Sequence, residues 1–89
     1  MQRREVYYRG TVQGVGFRYA TRRLAADFAV TGFVKNLPDG RVLLVAEGRG
    51  EEIDRFLEAV RAAFGGYVSD IREAVVEPTG EFRSFDIRY

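Results

Sequence analysis

The stretch Glu5-Val6-Tyr7-Tyr8-Arg9-Gly10-Thr11-Val12-Gln13-Gly14-Val15-Gly16-Phe17-Arg18-Tyr19-Ala20 decides the fold, because its periodicity changes midway. From Glu5 to Val12 the residues alternate. Val6, Tyr8 and Val12 fall on one face, and Glu5, Tyr7, Arg9 and Thr11 on the other, which predicts a half-buried strand. Gln13-Gly14-Val15-Gly16 ends that strand with glycine-rich punctuation. From Phe17 the period becomes helical, with Phe17, Ala20, Leu24 and Phe28 sharing one face while Arg22, Arg23 and Asp27 lie on the polar side.

Working outward, Gly32 separates this helix from a short second strand, Phe33-Val34-Lys35-Asn36, and Leu37-Pro38-Asp39-Gly40 supplies a turn. Val42-Leu43-Leu44-Val45-Ala46 is a continuous apolar run, as expected of a central strand. Glu51 to Phe64 places Ile53, Phe56, Leu57, Val60 and Phe64 on one helical face, and Gly65-Gly66 is expected to stop that helix. Val68 to Val76 reads as a weaker strand, ended by Glu77-Pro78-Thr79-Gly80. Phe85, Ile87 and Tyr89 alternate in a last one. Strand–helix–strand written twice is the split βαβ of a ferredoxin-like α+β architecture. The expectation is a single domain over residues 1–89: βαββαβ plus a short C-terminal strand, a mainly antiparallel sheet with two helices on one face.

Composition bounds the function. Eighty-nine residues exclude a second domain or a barrel of 200 residues, yet 46% hydrophobic content and 12 aromatics suffice for a core. Fourteen basic and 13 acidic residues leave a net charge of +1, which demands neither a nucleic acid nor an anionic membrane as partner. There is no cysteine and no histidine, so thiolate and phosphohistidine chemistry are excluded, and no metal site and no cofactor are expected. No apolar run approaches the ~20 residues that span a bilayer. The N-terminus lacks the apolar core of a signal peptide. A cytoplasmic protein is expected, and at this size a monomer.

The glycine loop carries the first candidate chemistry. Gly14 and Gly16 let successive N–H groups converge into a nest, and the first-turn amides of the following helix can point the same way. Arg18 stands at that mouth with a fork-shaped donor matched to phosphate oxygens. The plain alternative is a tight turn, with Arg18 one surface arginine of thirteen. Asn36, at a strand end before a turn, could bond the turn backbone, or orient a water by donating and accepting at once. Tyr7, Tyr8 and Tyr19 could pack the sheet and its edge, or form a base-stacking surface of the kind some ferredoxin-like sheets offer to RNA. A non-catalytic anion- or nucleotide-binding module on the same fold is the runner-up reading.

Two segments carry a resemblance. Gly10-Thr11-Val12-Gln13-Gly14-Val15-Gly16-Phe17-Arg18 resembles the acylphosphatase signature G-x-V-Q-G-V-x-F-R. Gly32-Phe33-Val34-Lys35-Asn36-Leu37-Pro38-Asp39-Gly40-Arg41-Val42 resembles that family's second signature, G-aromatic-V-[R/K]-N-x-x-D-G-x-V. The resemblance implies hydrolysis of small-molecule acyl phosphates to carboxylate and phosphate, without a cofactor. It implies Arg18 as the catalytic arginine, Asn36 as the residue that orients the water, and a phosphate cradle of backbone amides from Gly14, Val15, Gly16, Phe17 and Arg18. It further implies four strands in spatial order 4-1-3-2, with the last strand added at an edge. The chain departs from the family at Ala29, where many members have glycine; a left-handed helix cap there would be strained.

Overall fold

In this computed structural model, which describes residues 1–89, the periodic segments become β1 (Gln2–Gly10), α1 (Phe17–Ala25), β2 (Val30–Asn36), β3 (Val42–Gly48), α2 (Gly50–Phe64), β4 (Val68–Val76) and β5 (Phe85–Arg88). Five strands form one sheet in the order β4-β1-β3-β2-β5. Four strands thus stand in the order 4-1-3-2, and the last lies at the edge beside β2. Every pairing is antiparallel except β2 with β5, so the sheet is mixed. The uninterrupted apolar run Val42–Ala46 lies in the central strand, where neighbours on both sides and layers on both faces exclude water.

Strand direction places the functional end. β1 and β2 are both antiparallel to β3, and β5 is parallel to β2. The C-terminal ends of β1, β2 and β5 therefore reach the same end of the sheet. Tyr8 and Asn36 both pair with Val42, in a single row across it. The glycine loop begins five residues after Tyr8, at Gln13.

The two helices cover one face. Val6, Tyr8, Val34, Val42 and Leu44 meet Phe17, Ile53, Phe56 and Val60 in a shared core. Phe17 is the wedge that fixes the loop: its ring is 5.1 Å from that of Tyr8 and 4.8 Å from that of Phe64. Aromatic contacts in this range contribute beyond simple area burial, so the residue that opens α1 is held from the sheet and from α2 together.

The other face is covered by residues 77–84, which run from β4 at one edge to β5 at the other. Glu47 of β3 is buried beneath them. Its carboxylate accepts the N–H of Thr79 at 2.8 Å, the N–H of Gly80 at 2.9 Å and an N–H of Arg3 at 3.2 Å. Phe82 packs on Phe33, 5.8 Å between ring centroids, and Arg88 lies over the Phe33 ring at 4.1 Å. Burial alone would push Glu47 up. The Thr79 and Gly80 amides and Arg3 outweigh it and hold the carboxyl below its ordinary value.

One local expectation needs correction, and two helix ends show how they are finished. Helix α1 ends at Ala25, not Phe28, because the last turn tightens: Asp27 donates to Leu24 and Phe28 to Ala25, both three residues back. Ala29 adopts no left-handed conformation, since no non-glycine residue has positive φ; its N–H goes instead to the Glu52 carboxylate at 3.0 Å. Helix α2 stops at Phe64, just before Gly65-Gly66 as expected; Gly65 itself is right-handed, φ −53°, and leads into a 3₁₀ turn, Gly65–Tyr67.

Candidate active site

Between the end of β1 and the start of α1, Gly14 and Gly16 take φ of 80° and 78°. No atom lies within 4 Å of where a Cβ would stand at either, so the requirement is backbone conformation rather than crowding. Gly16 caps α1 without a side-chain bond, and the helical ladder begins with the Ala20 N–H donating to the Gly16 carbonyl at 3.0 Å. The backbone N–H groups of residues 14 to 19 donate to nothing within the protein. Six consecutive free amides at a helix N-terminus form a concentrated patch of positive potential.

Gly14, Gly16, Phe17, Arg18 and Tyr19 of this stretch line a cavity of about 230 Å³ together with Val12 and Asn36. The chain thus brings Gly14, Gly16, Phe17 and Arg18 together with Asn36, from two segments eighteen residues apart in sequence at their charged and polar ends. Val15 stands differently: its side chain packs against the core and lines no part of the cavity, leaving only its amide available. Phe17 also contributes only its backbone, its ring being fully committed to the core.

The two polar side chains are held in contrasting ways. Arg18 carries its guanidinium over the ring of Tyr89, 4.8 Å from the centroid, and pairs with no carboxylate. The Tyr89 hydroxyl lies 3.2 Å from that of Tyr19, and this hydrogen bond pushes the Tyr89 phenol above its ordinary value. Asn36 is half-buried, and its Oδ1 is enclosed with no hydrogen-bond partner in the protein. Asn36 lines the cavity, and its unsatisfied oxygen is a group that a bound water or ligand would satisfy.

One positioning contact was not read from the sequence. The Gln13 side-chain amide donates to the Leu37 carbonyl at 2.9 Å and to the Arg41 carbonyl at 3.0 Å. It ties the glycine loop to the turn that follows Asn36. The stacking surface weighed for Tyr7, Tyr8 and Tyr19 does not form: Tyr8 is buried under the helices, Tyr7 lies on the opposite face beneath Arg41, and Tyr19 is on α1. No helix is long and apolar enough to cross a membrane.

Comparison with known proteins bears on the same segments. The family model described as acylphosphatase matches residues 4–87. An acylphosphatase of Archaeoglobus fulgidus is 44% identical over 87 residues, covering 96% of each chain, and one from Methylococcus capsulatus is 45% identical over 92 residues, covering 98% of this chain and 96% of that one. The crystal structure of acylphosphatase from Bacillus subtilis superposes with a TM-score of 0.88 at 34% identity, covering all of both chains. With its sheet order, its two helices and nearly its whole length matched, the chain belongs to the acylphosphatase family.

Proposed function

We propose that this acylphosphatase-family enzyme hydrolyses acyl phosphates at the cavity formed by residues 12–19 and Asn36. The reaction is R–CO–O–PO₃²⁻ + H₂O → R–COO⁻ + H₂PO₄⁻. The P–O bond to the acyl group breaks, and a bond from water oxygen to phosphorus forms. The observation that supports the reading is that loop residues with unpartnered backbone N–H groups, Arg18 and Asn36 line one cavity.

The chemistry suits a chain without histidine or cysteine. The leaving group is a carboxylate, whose conjugate acid has a pKa of about 4, so it departs without a general acid. Phosphoryl transfer is largely a matter of position and charge stabilisation. The amides from Gly14 to Arg18 and the Arg18 guanidinium hold the phosphoryl oxygens and strengthen as charge redistributes. Asn36 holds the water in line behind phosphorus, its oxygen accepting a water proton. The proton released on attack passes to a phosphoryl oxygen. Action as a cytoplasmic monomer without a cofactor is part of the same proposal.

The test is benzoyl phosphate hydrolysis followed optically in excess EDTA. Wild type is expected to turn over, and Arg18→Ala and Arg18→Lys to lose nearly all activity, because a point charge does not replace a two-pronged donor. Wild-type turnover in either variant overturns the assignment.

A further inference from the structure

Tyr19, in the first turn of α1, belongs to two cavities. It lines the phosphate-sized one, and it also lines a larger cleft of about 610 Å³ that runs along α1 toward β5. The floor of this cleft is apolar and buried, formed by Ala25, Val30 and Phe85. Its margin is basic, formed by Arg22 and Arg23.

The charge at this margin is unspent. Six other arginines, Arg3, Arg4, Arg41, Arg49, Arg55 and Arg72, pair with carboxylates within 4.0 Å; Arg22 and Arg23 pair with none. Arg22 lies over the Tyr19 ring, 5.8 Å from its centroid. It is four residues beyond Arg18, hence on the same side of the helix and about 6 Å further along the axis. A cation in the last turn of a helix also complements its dipole. That accounts for a charge there, but not for its seat against the one side chain common to both cavities.

We propose that this cleft receives the acyl portion of the substrate, and that Arg22 selects acyl groups carrying a second anion, a carboxylate or a phosphate. The inference rests on the hydrolase reading above and names its substrate class. The phosphoryl group sits among the free amides and the acyl chain passes Tyr19. The distal anion meets Arg22, on the order of 6 Å beyond Arg18, and the carbons of a longer acyl group run on past it toward the apolar floor. The bond broken and the path of the proton are unchanged. A neutral acyl group fits the same floor but leaves Arg22 in water, so the distal charge governs preference rather than the chemical step.

Two substrates with nearly equal leaving groups decide the matter: benzoyl phosphate and 4-carboxybenzoyl phosphate. At low ionic strength, kcat/KM for the carboxylated compound is expected to exceed that of the neutral one by about two- to fivefold, the size of an exposed ion pair, with the difference in KM. Raising the salt should shrink the ratio. Arg22→Gln should bring it to about one, and Arg22→Glu should invert it. Arg83→Gln, in the segment on the opposite face of the sheet, removes the same net charge and should leave the ratio intact. A wild-type ratio of one, a ratio unmoved by Arg22→Gln, or an equal fall with Arg83→Gln overturns the proposal. Benzylphosphonate and 4-carboxybenzylphosphonate separate it from the hydrolase reading. If neither acyl phosphate is turned over, that reading fails, while the ratio of Kd values for the two phosphonates, and its response to Arg22→Gln, still decides whether the cleft reads a second anion.

Discussion

The guanidinium of Arg18 rests on the ring of Tyr89, 4.8 Å from its centroid. Tyr89 directly follows β5, which brings it to the site because it runs parallel to β2. A partly exposed cation–aromatic contact contributes about 0.5–1 kcal/mol. Tyr89→Leu is therefore expected to lower kcat/KM about two- to fivefold through a looser Arg18. Tyr89→Phe, which keeps the ring and loses only the hydroxyl contact to Tyr19, should retain most activity. Equal losses in both variants would assign the effect to the hydroxyl pair instead.

Asn36→Ala should lower kcat by roughly 10²–10³-fold, the usual cost of one preorganised polar group. Competitive inhibition by inorganic phosphate should change far less, since the amides and Arg18 remain. A collapse of phosphate affinity would reassign Asn36 from water positioning to binding or to local structure.

Gln13 bridges the loop to the turn after Asn36, and both of its acceptors also take a backbone N–H: Leu37 accepts from Gly40 and Arg41 accepts from Leu37. Its loss leaves no orphan carbonyl, so Gln13→Ala should cost only about 1–2 kcal/mol of stability. Activity should fall about tenfold as Asn36 and the cradle lose register, with kcat affected more than phosphate inhibition. Gln13→Glu should not rescue either quantity, because a carboxylate has no proton to donate.

Glu47 makes the protein acid-sensitive. Its folded-state pKa lies below the ordinary 4.5, so the folded protein binds fewer protons than the unfolded chain near that value. The stabilisation is complete above about pH 4.5 and is lost as pH falls through the lower, folded value. Thermal unfolding followed against pH should show this decline, and Glu47→Gln should flatten it. At neutral pH the same substitution should cost about 2 kcal/mol, the loss of charge-assisted hydrogen bonds to the buried carboxylate, while Arg3 keeps Glu5 at 3.3 Å.

Thr21 is fully buried in α1, and its Oγ1 has no hydrogen-bond partner. Thr21→Val replaces that hydroxyl with a methyl of similar shape. It should stabilise the protein by about 1 kcal/mol, visible as a higher urea midpoint with an unchanged slope.

Much of this architecture is legible locally. The alternation of Val6, Tyr8 and Val12 marks the buried face of β1, and the unbroken run from Val42 marks the central strand. That the loop, Arg18 and Asn36 line one cavity follows from two segments that resemble acylphosphatase signatures; glycine spacing by itself reads equally as a tight turn. What escapes is whatever depends on distant partners. Phe28 keeps the helical phase of Phe17 and Leu24, but α1 has already tightened to a three-residue step. Glu47 looks like an ordinary strand-end carboxylate, since the donors that bury it lie 32 and 33 residues away. Gln13 reads as one more loop residue until its acceptors, 24 and 28 residues on, are seen. Arg22 and Arg23 read as a polar helix face, because nothing in the order of residues tells a solvated arginine from one beside a cleft.

The shared direction of β1, β2 and β5 has a practical corollary for anyone handling the protein. A purification tag placed ahead of Met1 would emerge a nine-residue strand away from the glycine loop. The same tag fused after Tyr89 would begin beside Arg18 and crowd the cavity mouth.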